Sequence, residues 1–512
     1  MGSERHIPLS IGDSVRPWAL RTPTAVAVRH GERELTYAGI VERMNRVGNA
    51  ALDGLGLAPG EHAGIFTPNR LEYLELMLGL ADARIPPAQL PPTLTATELE
   101  THCAEARIRV LFVDPSLEEQ ARAAELDDAT RLVVLGEEYE NLLSLAGSSR
   151  PEVPRRDDDL CLIRYTSGTT GTPKAAGHSH RSRALQNLAM GSEMGFSSAG
   201  ERALTVGSLS AGAGLLHAYA TLRAGGTCVM LPIFNPELVL RQIERMRVTS
   251  VTAVPSHLQA IVELGEATLA KYDTSSLRLA NLIGSSAPPE LKERLVSVLG
   301  DGVLWVQYGS TEASIVTSLT PEDQLRKPLS AGLPFYGNVL KIVSDDGTEA
   351  AAEETGVLHV RSPLLFEGYW NRPEATAASF ADGFFVTGDL ARRDEEGYLY
   401  ILARTDDTII TGGLNVDPEP IEELLRRHPG VADAAVFGVP DTRLGEAICA
   451  AVVVRPGADH DEPALARHLA RELIPAKRPR RIEFVEELPH TESGKLARSR
   501  LRSRFGAEET RR

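Results

Sequence analysis

The chain has 512 residues, 42% of them hydrophobic and 24% charged, the balance of a folded globular protein too long for a single core. Its net charge of −16 excludes the basic footprint of a nucleic-acid binder. No run approaches the roughly 20 apolar residues that span a bilayer, so no membrane span is expected. The opening MGSERHIPLS has no apolar core of a secretory signal, and His6 stands where myristoylation needs Ser or Thr. Cys103, Cys161, Cys228 and Cys449 are far apart and mostly within apolar stretches, which predicts buried thiols in a reducing cytoplasm, with no metal spacing and no redox pair.

In chain order, residues 24–29 and 34–37 alternate as short strands, and 37–55 have helical spacing. A strand is expected over 62–67, helices over 71–83 and 95–106, and a strand over 110–113. This alternation predicts an α/β fold with a largely parallel sheet. The polar run 147–159, GSSRPEVPRRDDD, reads as a linker or surface crossing. Helices follow over 182–194 and 215–223, with strands over 204–207, 228–231, 250–254 and 279–283. From about Ala331 the strands shorten and Gly and Pro become frequent, as in a small β-rich subdomain. Beyond 403–407 lies a compact α+β unit, with helices over 419–427 and 462–472 and strands over 434–437 and 447–454. The boundary falls at 404–406, giving domains 1–404 and 405–512.

The apolar run 160–163 leads into YTSGTTGTPK, residues 165–174. Gly168 and Gly171 let the backbone approach a ligand closely, and the hydroxyls of Thr166, Ser167, Thr169, Thr170 and Thr172 are donors. Lys174 adds a positive charge. The stretch lacks the GK[ST] ending of a Walker A loop, and a flexible polar connection is the plain alternative for any Gly-, Ser- and Thr-rich run. Two further segments fall where parallel sheets bind ligands, at the carboxyl ends of strands. They are Gly284-Ser285-Ser286-Ala287-Pro288 and Tyr308-Gly309-Ser310-Thr311-Glu312.

YTSGTTGTPK resembles the phosphate loop of the adenylate-forming superfamily: acyl-CoA synthetases, aryl-CoA ligases, luciferases and peptide-synthetase adenylation domains. The resemblance extends over almost the whole chain, with several motifs in the family's order. It implies a large N-terminal domain of parallel α/β sheets with a small β-rich subdomain, then a small mobile C-terminal domain. It also implies ATP and Mg2+ as cofactors, coenzyme A as a partner, and an acid–CoA ligase reaction. On this resemblance, 166–171 and Lys174 hold the phosphates, Thr311 bonds the α-phosphate and Glu312 holds Mg2+. Tyr308 lies against adenine, with Gly309 and Ser310 beside it and Gly284, Ser285, Ser286 and Ala287 giving close backbone approach. Asp389, in VTGDL, accepts both ribose hydroxyls, and Arg404 is the second ribose contact. Lys495, in PHTESGKLAR, is the catalytic lysine, Asp406 the hinge, and Gly412 and Gly413 line the coenzyme A tunnel. A homodimer is among the states the resemblance admits. For each residue taken singly the bland reading is a turn, a packed aromatic or a surface lysine.

The sequence departs from the family's pattern at Ala175, Ala403, Pro420 and Ala476, which bears on the thioester-forming arrangement more than on adenylation. Ser208-Leu209-Ser210-Ala211-Gly212-Ala213-Gly214 stands where the family has bulky residues against the acid. The acid pocket, expected at Ala211, Gly212, Ala213, Gly284 and Gly309, therefore has a wall of little volume. Such a wall leaves space for a bulky apolar acid, polycyclic or aryl. His217 reads as a helix residue, packed or exposed. His180 reads as structural, and the spacing of His178 and His180 does not suit zinc. The arginines and Lys477 near the end of the chain form either a solvated helix face or a set of contacts to phosphates of ATP or coenzyme A. Two other outcomes stay open: transfer of the acyl group to a carrier-protein thiol or an amine, and a catalytically silent scaffold of the same fold.

Overall fold

A computed structural model describes residues 8–166, 173–404, 407, 409–411, 414–416, 418–441, 444–490 and 496–506. The chain divides into two compact units, 1–340 with 360–385, and 341–359 with 386–512.

The first unit holds two sheets. One runs in the order Leu333–Pro334, Ser314–Leu319, Leu304–Ser310, Leu279–Ile283, Ser250–Ala253, Arg202–Thr205, Thr227–Met230, Val26–His30 and Arg33–Thr36. Its six inner strands are parallel, and the outer ones are antiparallel. The other runs Gly368–Tyr369, Lys174–Ser179, Leu160–Thr166, Pro87–Leu90, His62–Phe66, Ile108–Val113 and Arg131–Val134, parallel except for its first two strands. The parallel strands are covered on both faces, which is why they read as short apolar runs rather than as alternation. The helix Leu71–Asp82 is buried along its whole length, Glu72 and Glu75 included. Glu75 is kept there by Arg43 at 2.5 Å and by the Tyr139 hydroxyl at 2.6 Å, since a buried carboxylate needs partners.

The expected linker over 147–159 is an extended crossing fastened to the first unit. Arg150 forms a bidentate pair with buried Asp82 at 2.6 and 3.0 Å, and Arg155 donates to the Asp82 carbonyl. Several strands escaped the sequence reading, among them Arg131–Val134, Pro87–Leu90 and Lys174–Ser179. Pro87–Leu90 is too short for periodicity to show, and Lys174–Ser179 follows a Pro and carries Gly and His.

In the second unit, Phe384–Arg393 pairs antiparallel with Leu399–Arg404. A further sheet orders Leu414–Val416, Ile409–Thr411, Gly445–Val454 and Val431–Asp441, with Arg481–Phe484 parallel to Gly445–Val454. The helix Pro418–Arg426 packs its apolar face on this sheet through Ile421, Leu424 and Leu425. Pro418 and Pro420 sit in its first turn, where the backbone N–H groups have no helical partner to lose.

Candidate active site

Thr166 ends one strand and Lys174 begins the next, and the two face each other across an antiparallel pair. The described ends of the expected phosphate stretch thus lie on two antiparallel neighbours, and the helix His180–Met194 begins only after the returning strand. Ser167, Gly168, Thr169, Thr170, Gly171 and Thr172 lie outside the described residues, as do Asp406, Gly412, Gly413 and Lys495.

In the other sheet, Leu279–Ile283 and Leu304–Ser310 are parallel neighbours, with Ile283 opposite Gln307. Their carboxyl ends therefore bring Gly284 alongside Tyr308. Gly284 has φ +108°, a conformation glycine adopts freely, with Ser285 and Ser286 exposed beside it and Ala287 turned into the protein. Beneath them the Asn281 amide donates to Gln307 at 2.8 Å, a buried polar rung that fixes the two strand ends.

Thr311 and Glu312 sit on the tight turn between Leu304–Ser310 and the returning strand Ser314–Leu319. The Ser310 hydroxyl accepts the Ala313 N–H at 3.0 Å and closes the turn. A side chain on Gly309 would run into the Ser314 carbonyl, so glycine is required there by the returning backbone as well as by any ligand. The Glu312 carbonyl accepts the Phe366 N–H at 2.8 Å, and its carboxylate accepts the Tyr369 hydroxyl at 2.9 Å. Lys174 places its ammonium 5.1 Å from the centre of the Tyr369 ring. Tyr369 thus stands between the phosphate hairpin and the Thr-Glu turn, and sequence reasoning missed it. The signal available, a Gly-Tyr-Trp run before Asn-Arg-Pro, has no spacing that ties it to Glu312, because the two meet through non-local contacts, the pairing of Tyr369 with Ala176 and the Phe366 N–H on the Glu312 carbonyl.

The segment expected to wall the acid is a single 3-10 turn, Leu209–Ala211, started by the Ser208 side chain. Asn69 holds it by accepting the Leu209 N–H at 2.8 Å and donating to the Gly207 carbonyl at 2.9 Å. The expectation that this wall has little volume needs one correction. The Arg164 guanidinium donates to the Ala211 carbonyl at 2.7 Å and fills the space that a side chain on Gly212 would take.

In the second unit, Asp389 and Arg404 face each other across the strand pair, with Arg404 Nε 3.5 Å from the carboxylate. Asp389 is almost fully buried and its N–H donates to the Thr387 hydroxyl at 3.0 Å, while Arg404 is half exposed. Among the cations near the end of the chain, Arg498 donates from one guanidinium nitrogen to both carboxylate oxygens of buried Glu422, at 2.7 and 2.8 Å, and from another to Asp407 at 3.3 Å. Arg481 pairs with Glu483, and Arg478 donates to the Leu473 carbonyl. These three are bound within their own unit rather than forming a solvated face.

His217 is fully buried, its Nε2 2.9 Å from the Ser250 hydroxyl, so it is a packed helix residue. His180 accepts the Ile11 N–H at 3.1 Å and is structural. His178 is buried too, and burial, with Arg183 and Arg164 nearby, pushes its imidazole well below the usual histidine range.

Thr311 and Glu312 offer a hydroxyl and a carboxylate on one turn, hard oxygens of the kind Mg2+ takes, with phosphate oxygens and water to complete the shell. This donor set fits the ion as a partner of bound nucleotide rather than as a resident metal.

The profile of AMP-binding enzymes matches residues 15–370, and that of the AMP-binding enzyme C-terminal domain matches 420–495. A feruloyl-CoA synthase from Amycolatopsis sp is 36% identical over 96% of this chain and 98% of its own. The ATP-bound MatB of Rhodopseudomonas palustris superposes with TM-score 0.87 at 30% identity, covering 97% of this chain and 99% of that one. The amide bond synthetase McbA of Marinactinospora thermotolerans superposes with TM-score 0.83 at 31% identity, covering 97% and 100%. The chain belongs to the AMP-binding enzyme family and is an AMP-forming acid–thiol ligase.

Proposed function

We propose that the protein adenylates a bulky, largely apolar carboxylic acid, aryl or polycyclic, and then passes the acyl group to coenzyme A. The observation that carries the site assignment is the fastening of the Thr311–Glu312 turn by Tyr369, whose ring also lies against Lys174 at the mouth of the phosphate hairpin. Attack of a carboxylate on an α-phosphate joins two anions, so the protein's work is positioning and charge compensation. Lys174 and the hairpin hydroxyls hold the outer phosphates, and Thr311 holds the α-phosphate. Mg2+, when bound at Glu312, supplies positive charge to the phosphate oxygens. Asp389 and Arg404 hold the ribose, and Lys495 offsets the charge that builds between acid and phosphate. Residues 405–512 turn about Asp406 once the adenylate has formed, bringing Gly412 and Gly413 to line the thiol's path. Ala211, Gly212, Ala213, Gly284 and Gly309 present small side chains to the acid, and the 36% identical feruloyl-CoA synthase supports an aryl substrate. A second reading, an amine in place of the thiol, draws on the likeness to an amide bond synthetase.

The test is an acid panel incubated with enzyme, ATP and Mg2+, with coenzyme A, with an amine, or with neither. We expect pyrophosphate release with aryl or polycyclic acids and thioester only when coenzyme A is present. Acetate as the best acid by kcat/KM would contradict the pocket reading. Amide without thioester would contradict the choice of acceptor, and no pyrophosphate with any acid would favour a silent scaffold.

A further inference from the structure

The helix His180–Met194 follows directly on the strand Lys174–Ser179 and carries a cation that the proposed chemistry does not use. Arg183 is 1% exposed, and Gln186, three residues on and so on the same helix face, is fully buried. Burial pulls the guanidinium from its usual value down to about 10, so it is still charged at neutral pH. A buried charge is costly, and an apolar side chain of similar volume would fill the same space at less cost. The contacts of Arg183 supply the reason for it.

Arg183 Nη1 donates to the Ser314 hydroxyl at 3.2 Å, and that hydroxyl donates in turn to Gln186 Oε1 at 2.7 Å. Nη2 donates to the Leu364 carbonyl at 2.7 Å. Ser314 opens the strand that returns from the Thr311–Glu312 turn, opposite Ser310, and has φ +62°, a left-handed conformation uncommon outside glycine. Such a conformation persists only where the surroundings over-determine it. Two side chains on the Ser314 hydroxyl do so here, with the Ser314 carbonyl seated where Gly309 has no side chain. Leu364 lies two residues before Phe366, whose N–H holds the Glu312 carbonyl at 2.8 Å. One guanidinium therefore spans the two backbone segments that hold Glu312, and it does so from the helix that continues the Lys174 strand.

We propose that Arg183 is a positioning residue for adenylation: by fixing Ser314 and Leu364 it sets the backbone of the Thr311–Glu312 turn against the strand that starts with Lys174. This rests on the assignment of Thr311 to the α-phosphate and of Glu312 to Mg2+. Arg183 acts through the backbone of the turn, whereas Tyr369 meets the Glu312 carboxylate itself. A displacement of about 1 Å in such a frame costs about 100-fold in rate.

The experiment compares the full-length enzyme with Arg183→Met, Arg183→Lys, Ser314→Ala and Glu312→Gln, using the acid that the parent adenylates best. The readouts are the single-turnover rate of pyrophosphate release at saturating ATP and the Mg2+ concentration that gives half that rate. Thioester formation from supplied acyl-adenylate and coenzyme A, and the melting temperature, serve as references. We expect Arg183→Met to slow pyrophosphate release about 10- to 100-fold and to raise the Mg2+ requirement, with thioester formation within about threefold of the parent. Arg183→Lys, which keeps the charge without the fork, should recover part of the rate, and Ser314→Ala should show the same selective loss to a smaller degree. If Glu312→Gln is slow but Arg183→Met adenylates within about twofold of the parent, the proposal is overturned and the assignment of the turn stands. Equal falls in both half-reactions that track the melting temperature would overturn it too, since Arg183 would then only brace the fold. Should Arg183→Met fail to fold, Ser314→Ala decides by the same criteria. Glu312→Gln adenylating as fast as the parent at every Mg2+ concentration would instead contradict the reading of the turn on which the proposal rests.

Discussion

At the scale of single residues, the site depends on contacts that chain order hides. Thr311 and Glu312 were expected just after a strand and lie there, yet the Glu312 carboxylate is met by a tyrosine 57 positions away. Hydrogen bonds to a charged group contribute about 1.5–3 kcal/mol. Tyr369→Phe keeps the ring against Lys174 and removes only the hydroxyl, so it isolates that bond. We expect kcat/KM for ATP to fall about 10- to 100-fold, with a raised Mg2+ requirement and an unchanged melting temperature. Kinetics within twofold of the parent would show that Glu312 needs no such contact. Gly309 teaches the complementary lesson. A glycine in a ligand motif invites a ligand explanation, but the Ser314 carbonyl already excludes a side chain there.

At the scale of elements, periodicity found most of the helices and parallel strands because burial on both faces leaves continuous apolar runs. It missed the strand Lys174–Ser179, whose sequence KAAGHS alternates in no usable way. That strand is built by pairing with Leu160–Thr166, a non-local cause. The helix Ala213–Ala224 shows how a histidine in such a setting shapes stability. Burial, set against Glu201 and reinforced by Arg278, lowers the His217 pKa from 6.5 to about 4, and burial lowers that of His180 to about 4. Each folded-state value lies below the unfolded one, so the unfolded chain binds the extra proton first. The stabilisation is complete above pH 6.5 and drains away as pH falls towards 4, by a few kcal/mol in all. Melting temperature should therefore decline across that window, and His217→Gln should flatten the slope. A parent whose melting temperature is level between pH 6.5 and 4 would contradict the buried neutral imidazoles.

At the scale of the whole molecule, the four cysteines are buried, as their apolar neighbourhoods implied, and burial pushes the thiols of Cys103 and Cys161 up to about 12. The α/β class, the large N-terminal and small C-terminal domains and the family were readable because each motif recurs in order along nearly the full length. The acid was less readable. A wall segment of Ala and Gly gives only what is missing, and Arg164, which takes up part of that volume, comes from a strand 47 residues earlier. The account as a whole requires Lys495, more than 300 residues after the phosphate hairpin, to act on the same nucleotide. Single-turnover formation of acyl-adenylate, followed as pyrophosphate without coenzyme A, tests this most directly when parent and Lys495→Ala are compared. We expect the variant to adenylate its preferred acid about 100-fold or more slowly, while still converting supplied acyl-adenylate and coenzyme A to thioester. Equal adenylation rates in the two proteins would contradict the account.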